Sequence, residues 1–104
     1  MENISISKKQ KDLLSLFSGK KLEKTVDYNL LMSIVEQIES TPYNLYIKVT
    51  IYNKSCRITK DSSNRLKDDI ISEKSFAENK IEAILLTVCD FIEWYNKNIK
   101  YYKN

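Results

Sequence analysis

The stretch KIEAILLTVCDFIEWYNK, residues 80–97, sets the terms on which this chain can fold. With its flanks it places Ala77, Ile81, Ile84, Leu85, Val88, Ile92, Tyr95 and Ile99 at helical spacing along one side, and Glu82, Asp90, Glu93 and Lys97 on the other. Cys89, Phe91 and Trp94 widen the apolar arc beyond one stripe. An arc that wide needs more than one neighbour, and a hairpin plus a second helix would cover it. Core packing is therefore expected along this helix rather than a ligand groove. Ser75 and Glu78, in S-x-x-E spacing, predict its capped start.

The rest of the chain supplies such neighbours. From Asp27 to Ser40, Leu30, Ile34 and Ile38 recur every fourth residue, with Leu31 and Val35 broadening the stripe. Asp27 suits the helix start, and Pro42 stops what precedes it. Glu36 and Glu39 fall on the opposite face as solvated charges. The period then changes: Leu45, Ile47, Val49 and Ile51 alternate with Tyr46, Lys48, Thr50 and Tyr52, the mark of a half-buried strand. A second strand spans Ser55 to Lys60. A two-residue turn at Asn53-Lys54 sets Ile51 opposite Cys56, Thr50 opposite Arg57 and Val49 opposite Ile58, with all apolar partners on one face. Lys8 to Ser18 predicts a short helix ending at Gly19, the sole glycine. Residues 61–75 are polar and predict a loop with one helical turn carrying Leu66, Ile70 and Ile71; Asp68 and Asp69 are surface carboxylates. Ile4-Ser5-Ile6 could form a short strand covering the hairpin's edge.

These pieces predict an α+β fold: a small αββα sandwich in which an antiparallel β-hairpin packs with helices, plus a short N-terminal helix. Residues 1–26 form the N-terminal segment and 27–104 the core domain, with the polar insertion at 61–75.

Several chemistries lack their residues. The chain has no histidine and only two cysteines, Cys56 and Cys89, so a tetrahedral zinc site cannot be closed. SGKK, at residues 18–21, lacks the GxxxxGK[ST] frame of a phosphate loop. No cysteine neighbours an identifiable base, no cofactor motif is present, and an enzyme is not expected. MENISISKKQKD lacks the apolar core of a signal peptide, and no apolar run approaches a membrane span, so a cytoplasmic protein with no membrane partner is expected. Both cysteines are then expected to be buried, reduced thiols.

DYNLLMSIVEQIES, SCRI and KIEAILLTVCDFIEWYN together resemble the phage ABA sandwich domain family, small proteins of bacteriophages and prophages. The resemblance covers roughly residues 27–98. It is carried most specifically by Leu31-Met32, Val35-Glu36 and Ile38-Glu39, by Lys80-Ile81-Glu82-Ala83, and by Phe91-Ile92 with Trp94-Tyr95-Asn96. The chain departs from the pattern at Ser33, where relatives often carry proline, and in its longer polar insertion. The resemblance implies an αββα sandwich and a viral or prophage origin, and assigns no catalytic or ligand-binding residue.

The function expected is that of a small, non-enzymatic binding or assembly module acting through protein contacts. A self-associating dimer is favoured, and a host or virion protein is the other partner considered. The candidate interaction face comprises Tyr46, Lys48, Thr50, Tyr52, Arg57 and Thr59, since a two-stranded sheet with one aromatic face gains from stacking on another copy. A nucleic-acid-binding accessory protein is the alternative, drawing on SKKQK near the N-terminus and a basic tail of Lys97, Lys100, Tyr101, Tyr102 and Lys103. A formal charge of +3, from 17 basic and 14 acidic residues, is small for that role. A phage factor that counters host defence, by binding a host protein or a signalling nucleotide, is a further form of the binding reading.

Overall fold

A computed structural model describes residues 3–40, 46–60 and 69–98. In order, the elements are β1 (Asn3–Ser5), α1 (Lys8–Ser18), β2 (Thr25–Asp27), α2 (Tyr28–Glu39), β3 (Lys48–Ile51), β4 (Cys56–Lys60), β5 (Asp69–Lys74) and α3 (Lys80–Asn98). The fold is α+β, with one two-stranded and one three-stranded antiparallel sheet.

Local chemistry sets the ends of the first two helices. At α1, the Gln10 amide donates to Ser7 Oγ while the Ser7 amide donates to Gln10 Oε1, a reciprocal cap at 3.1 and 2.8 Å. Gly19 ends the helix at φ +73°, a conformation that costs glycine little, and donates its amide to the Ser15 carbonyl. Asp27 caps α2 by accepting the Leu30 amide at 2.8 Å. Asp27→Ala should therefore cost about 1 kcal/mol of stability, read as a lower urea midpoint with an unchanged slope. The stop expected at Pro42 lies outside the described residues.

The hairpin forms in the register that apolar alternation demands. Lys48 pairs with Thr59, Val49 with Ile58, Thr50 with Arg57 and Ile51 with Cys56, and the Tyr52 amide donates to the Ser55 carbonyl across the turn. Its first strand is shorter than the alternation suggests: Tyr46 sits at φ +52°, so extended backbone begins only beyond it.

Three expectations need correction. Asp69–Lys74 is a strand, not a loop with a helical turn, and it adds to β4 to make a three-stranded sheet of order β3-β4-β5. Ile58 pairs with Ser72 but Thr59 with Ile70, so Ile71 is an extra residue in a β-bulge. The N-terminal strand pairs Ile4 with Val26 on β2 and does not cover the hairpin's edge. Finally, α3 starts at Lys80, not near Ser75: Asn79 Oδ1 accepts the Glu82 amide at 2.9 Å, and Glu82 Oε1 accepts the Glu78 amide at 3.2 Å.

α3 is the centre of the molecule. Its apolar arc meets β4 and β5 on one side and α1 and α2 on the other, which is why the arc is so wide. Ile81, Ile84, Leu85, Val88, Phe91 and Ile92 are buried there, against Leu14 of α1, Leu31, Ile34 and Ile38 of α2, and Cys56 and Ile58 of β4. Two hydroxyls lie between helix and sheet. Ser72 donates to the Thr87 carbonyl at 2.8 Å, and Thr87 donates to the Cys56 carbonyl at 3.3 Å. Among the described residues no buried side-chain polar atom lacks a partner, so these hydroxyls add specificity without an unpaired group.

Candidate interaction face

β3, β4 and β5 turn Val49, Ile51, Cys56, Ile58 and Ser72 toward the helices. Side chains alternate along a strand, so the intervening residues form the other face. That face carries Lys48, Thr50 and Tyr52 from the β3 strand and its end, Arg57 and Thr59 from β4, and Ile70 and Glu73 from β5. Among the described residues no helix covers it.

The residues singled out from sequence are only partly as expected. Lys48 is exposed, Thr50 is half-buried, and Tyr52 retains about half of its surface, at 51%. Tyr46 is exposed but lies off the strand. Thr59 is buried, at 8%, because Lys48 and Ile70 flank it from the neighbouring strands. It offers little to a partner. Arg57 is already paired: its Nε donates to Glu73 Oε2 at 2.6 Å, and its Nη2 reaches the same oxygen. Both contacts fall on Glu73 Oε2.

Three members of this face could not be read from the hairpin alone. Glu73 and Ile70 arrive with β5, and Ile70 is 54% exposed. Phe76 follows β5 and is 96% exposed at φ +60°. The adjacent Ala77 amide donates to the Lys54 carbonyl at 2.9 Å, and Ala77 itself is buried. That anchor turns the chain inward and leaves Phe76 outside, in backbone that costs a non-glycine residue about 1–2 kcal/mol. With Tyr52, Asn53, Lys54, Ser55 and Ser75 it lines a shallow cleft of about 300 Å³. Exposed apolar groups therefore stand at both ends of the face, Tyr52 and Phe76 at one, Tyr46 and Ile70 at the other.

The sheet's free edge at β3 is guarded. The Val49 amide donates to Glu39 Oε2 of α2 at 3.2 Å, removing a donor that another strand would need. Pairing of another strand at the β3 edge is thereby disfavoured.

A second surface lies at the start of α1. Ser5, Ile6, Ser7, Lys8, Lys11 and Lys24 line an open groove of about 530 Å³. Its lysines could meet phosphates, but it has no aromatic ring on which a base could stack. Of the basic tail, Lys97 is exposed in the last turn of α3, while Lys100, Tyr101, Tyr102 and Lys103 lie outside the described residues. Among the described residues no three Cys, Asp or Glu side chains gather as a metal site, and no helix is long and apolar enough to cross a membrane.

Cys56 and Cys89 are buried free thiols. Burial pushes Cys56 up to about 11, opposed by hydrogen bonds from the Thr87 side chain and the Arg57 backbone. Burial also pushes Cys89 up to about 12, reinforced by the charges of Asp90 and Glu93. Neither is a nucleophile near neutral pH.

Comparison of the chain with protein-family models, with curated protein sequences and with solved structures returns no match.

Proposed function

We propose that this chain is a non-catalytic assembly module that works through protein contacts made by the open face of the three-stranded sheet. Self-association is the contact it can make unaided. One observation carries the reading: α3 covers a single face of the sheet, while Tyr46, Tyr52, Ile70 and Phe76 remain exposed on or beside the other. An aromatic body with a polar tip suits such a surface, because a Tyr ring buries apolar area while its hydroxyl stays wet at a rim. The likeness to phage ABA sandwich domains would place the module in a bacteriophage or prophage.

Thr50 sits midway along β3, directly opposite Arg57 on the central strand. Thr50→Arg adds bulk and a second cation there without touching the core. Light scattering over a concentration series should show the native mass rising from one chain toward two. In Thr50→Arg the association should weaken by about tenfold or more, with an unchanged melting temperature. A native chain that stays monomeric at every concentration, or a dimer indifferent to this change, would remove this face from consideration.

A further inference from the structure

We infer that two copies meet face to face about a twofold axis running along the strands between β4 and β5, so that each Arg57 bonds the Glu73 of the other copy. The inference rests on the self-association proposed above and specifies its geometry.

The argument begins with the Arg57–Glu73 pair. It joins adjacent strands at one level of the face, with a cation on β4 and an anion on β5. A twofold axis lying in the interface and running along the strands between them exchanges the two positions. Arg57 then lies over the second copy's Glu73, and Glu73 over its Arg57. The four charges alternate in sign. A twofold axis running across the strands at the same level would instead place Arg57 over Arg57 and Glu73 over Glu73, an arrangement that repels. The pair has capacity for new contacts, since a guanidinium carries five N–H donors and a carboxylate about four acceptor sites.

The apolar groups fit the same axis. An axis along the strands keeps like ends together, so the Tyr52 and Phe76 end of one copy meets that of the other. At the opposite end Ile70 and Tyr46 are likewise brought side by side. Lys48 sits on the outer strand β3, away from the axis, where two lysines are held far apart. Sheets stacked in this way keep their strands within about 30° of each other.

Area limits the contact. The outer strands of the sheet lie only about 10 Å apart, at about 4.8 Å per step. The face therefore buries less than the roughly 800 Å² per partner of a standard interface. A weak dimer is expected, so the series should reach about 1 mM.

The experiment is a charge exchange. Arg57→Glu gives a chain with two acidic groups at the axis, and Glu73→Arg a chain with two basic ones. Each variant alone should sediment as a monomer up to about 1 mM. An equimolar mixture should recover the dimer, with one chain of each kind, because the axis then sets each acidic pair over a basic pair. The double variant Arg57→Glu/Glu73→Arg restores alternation within each chain and should dimerise as the native protein does. Circular dichroism and melting curves on all four chains establish that each is folded. Single variants that dimerise like the native chain, or a mixture of folded variants that stays monomeric, would overturn the geometry while leaving self-association standing. A native chain monomeric throughout would overturn both.

Discussion

Phe91→Ala should lower the unfolding free energy by about 3–5 kcal/mol, the range expected for removing a buried aromatic ring. Phe91 is fully buried and sits where α1 meets α3. Phe17 of α1 points an edge at it from 6.3 Å, Tyr95 stacks at 5.9 Å and Trp94 is tilted against it at 5.9 Å. Phe17 also meets Tyr95 edge-on at 5.6 Å, so this cluster is the joint between α1 and α3. Little can collapse into the space left, because Leu14 and Ile92 beside it are already fully buried in the same core. Domains of this size hold about 5–15 kcal/mol in all, so the loss is a large share of the total. At about 4–8 °C per kcal/mol, the melting temperature should fall by roughly 12–40 °C. Leu16→Ala is the matched control: Leu16 lies on the outer side of α1 and is exposed, so the change should stay within about 0.5 kcal/mol. A loss below about 1 kcal/mol for Phe91→Ala would mean that α1 does not close on α3.

Alkaline pH should produce the second large effect, and its sign follows from the thiols. Both folded-state values lie above the ordinary 9.0, Cys56 at about 11 and Cys89 at about 12. Folding therefore favours the protonated thiol. The stabilisation is fully present below about pH 9 and is lost as pH rises through 11 and then 12. Between about pH 9.5 and 11 the unfolded state gives up roughly one and a half more protons than the folded state, so stability should fall by about 2 kcal/mol per pH unit in all. The informative quantity is the difference from Cys56→Ala/Cys89→Ala. That variant should show a slope shallower by roughly 2 kcal/mol per unit in urea titrations across this window. Equal slopes would contradict the assignment. At pH 8 the native thiols should react with a disulfide reagent only as fast as the chain opens. Rapid labelling of both in the folded protein would show that they are not buried.

The hairpin illustrates what could be read directly from residues. Slipping its register by one would turn either Val49 and Ile51 or Cys56 and Ile58 outward, and that penalty selects the observed pairing. β5 could not be read in the same way. Its bulge inserts Ile71 beside Ile70, so two apolar residues stand in sequence and the period of two is broken. Neighbouring isoleucines after a run of polar residues then resemble a helical turn. The candidate face divides along the same line. Lys48, Thr50, Tyr52 and Arg57 follow from the hairpin's alternation, whereas Glu73 and Ile70 join it only once β5 pairs with β4. Phe76 would be assigned to the core by its side chain alone. The turn held by Lys54 places it outside instead.

The three helices and the β3–β4 pairing were determined by the sequence itself, since each depends on groups within a few residues of one another. Caps at Ser7 and Asp27, the left-handed stop at Gly19 and the periodic apolar stripes act over one or two turns. Tertiary structure decided the rest. A third strand gains its hydrogen bonds only when β4 is already in place, and Ser72 is admitted to the core because the Thr87 carbonyl of α3 accepts a hydrogen bond from its hydroxyl. Which face of the sheet stays open depends on where α3 lies, and α3 lies where one wide apolar arc can meet a sheet and two helices at once. Burial of that arc is a property of the assembled elements, because water must be removed from all its sides together.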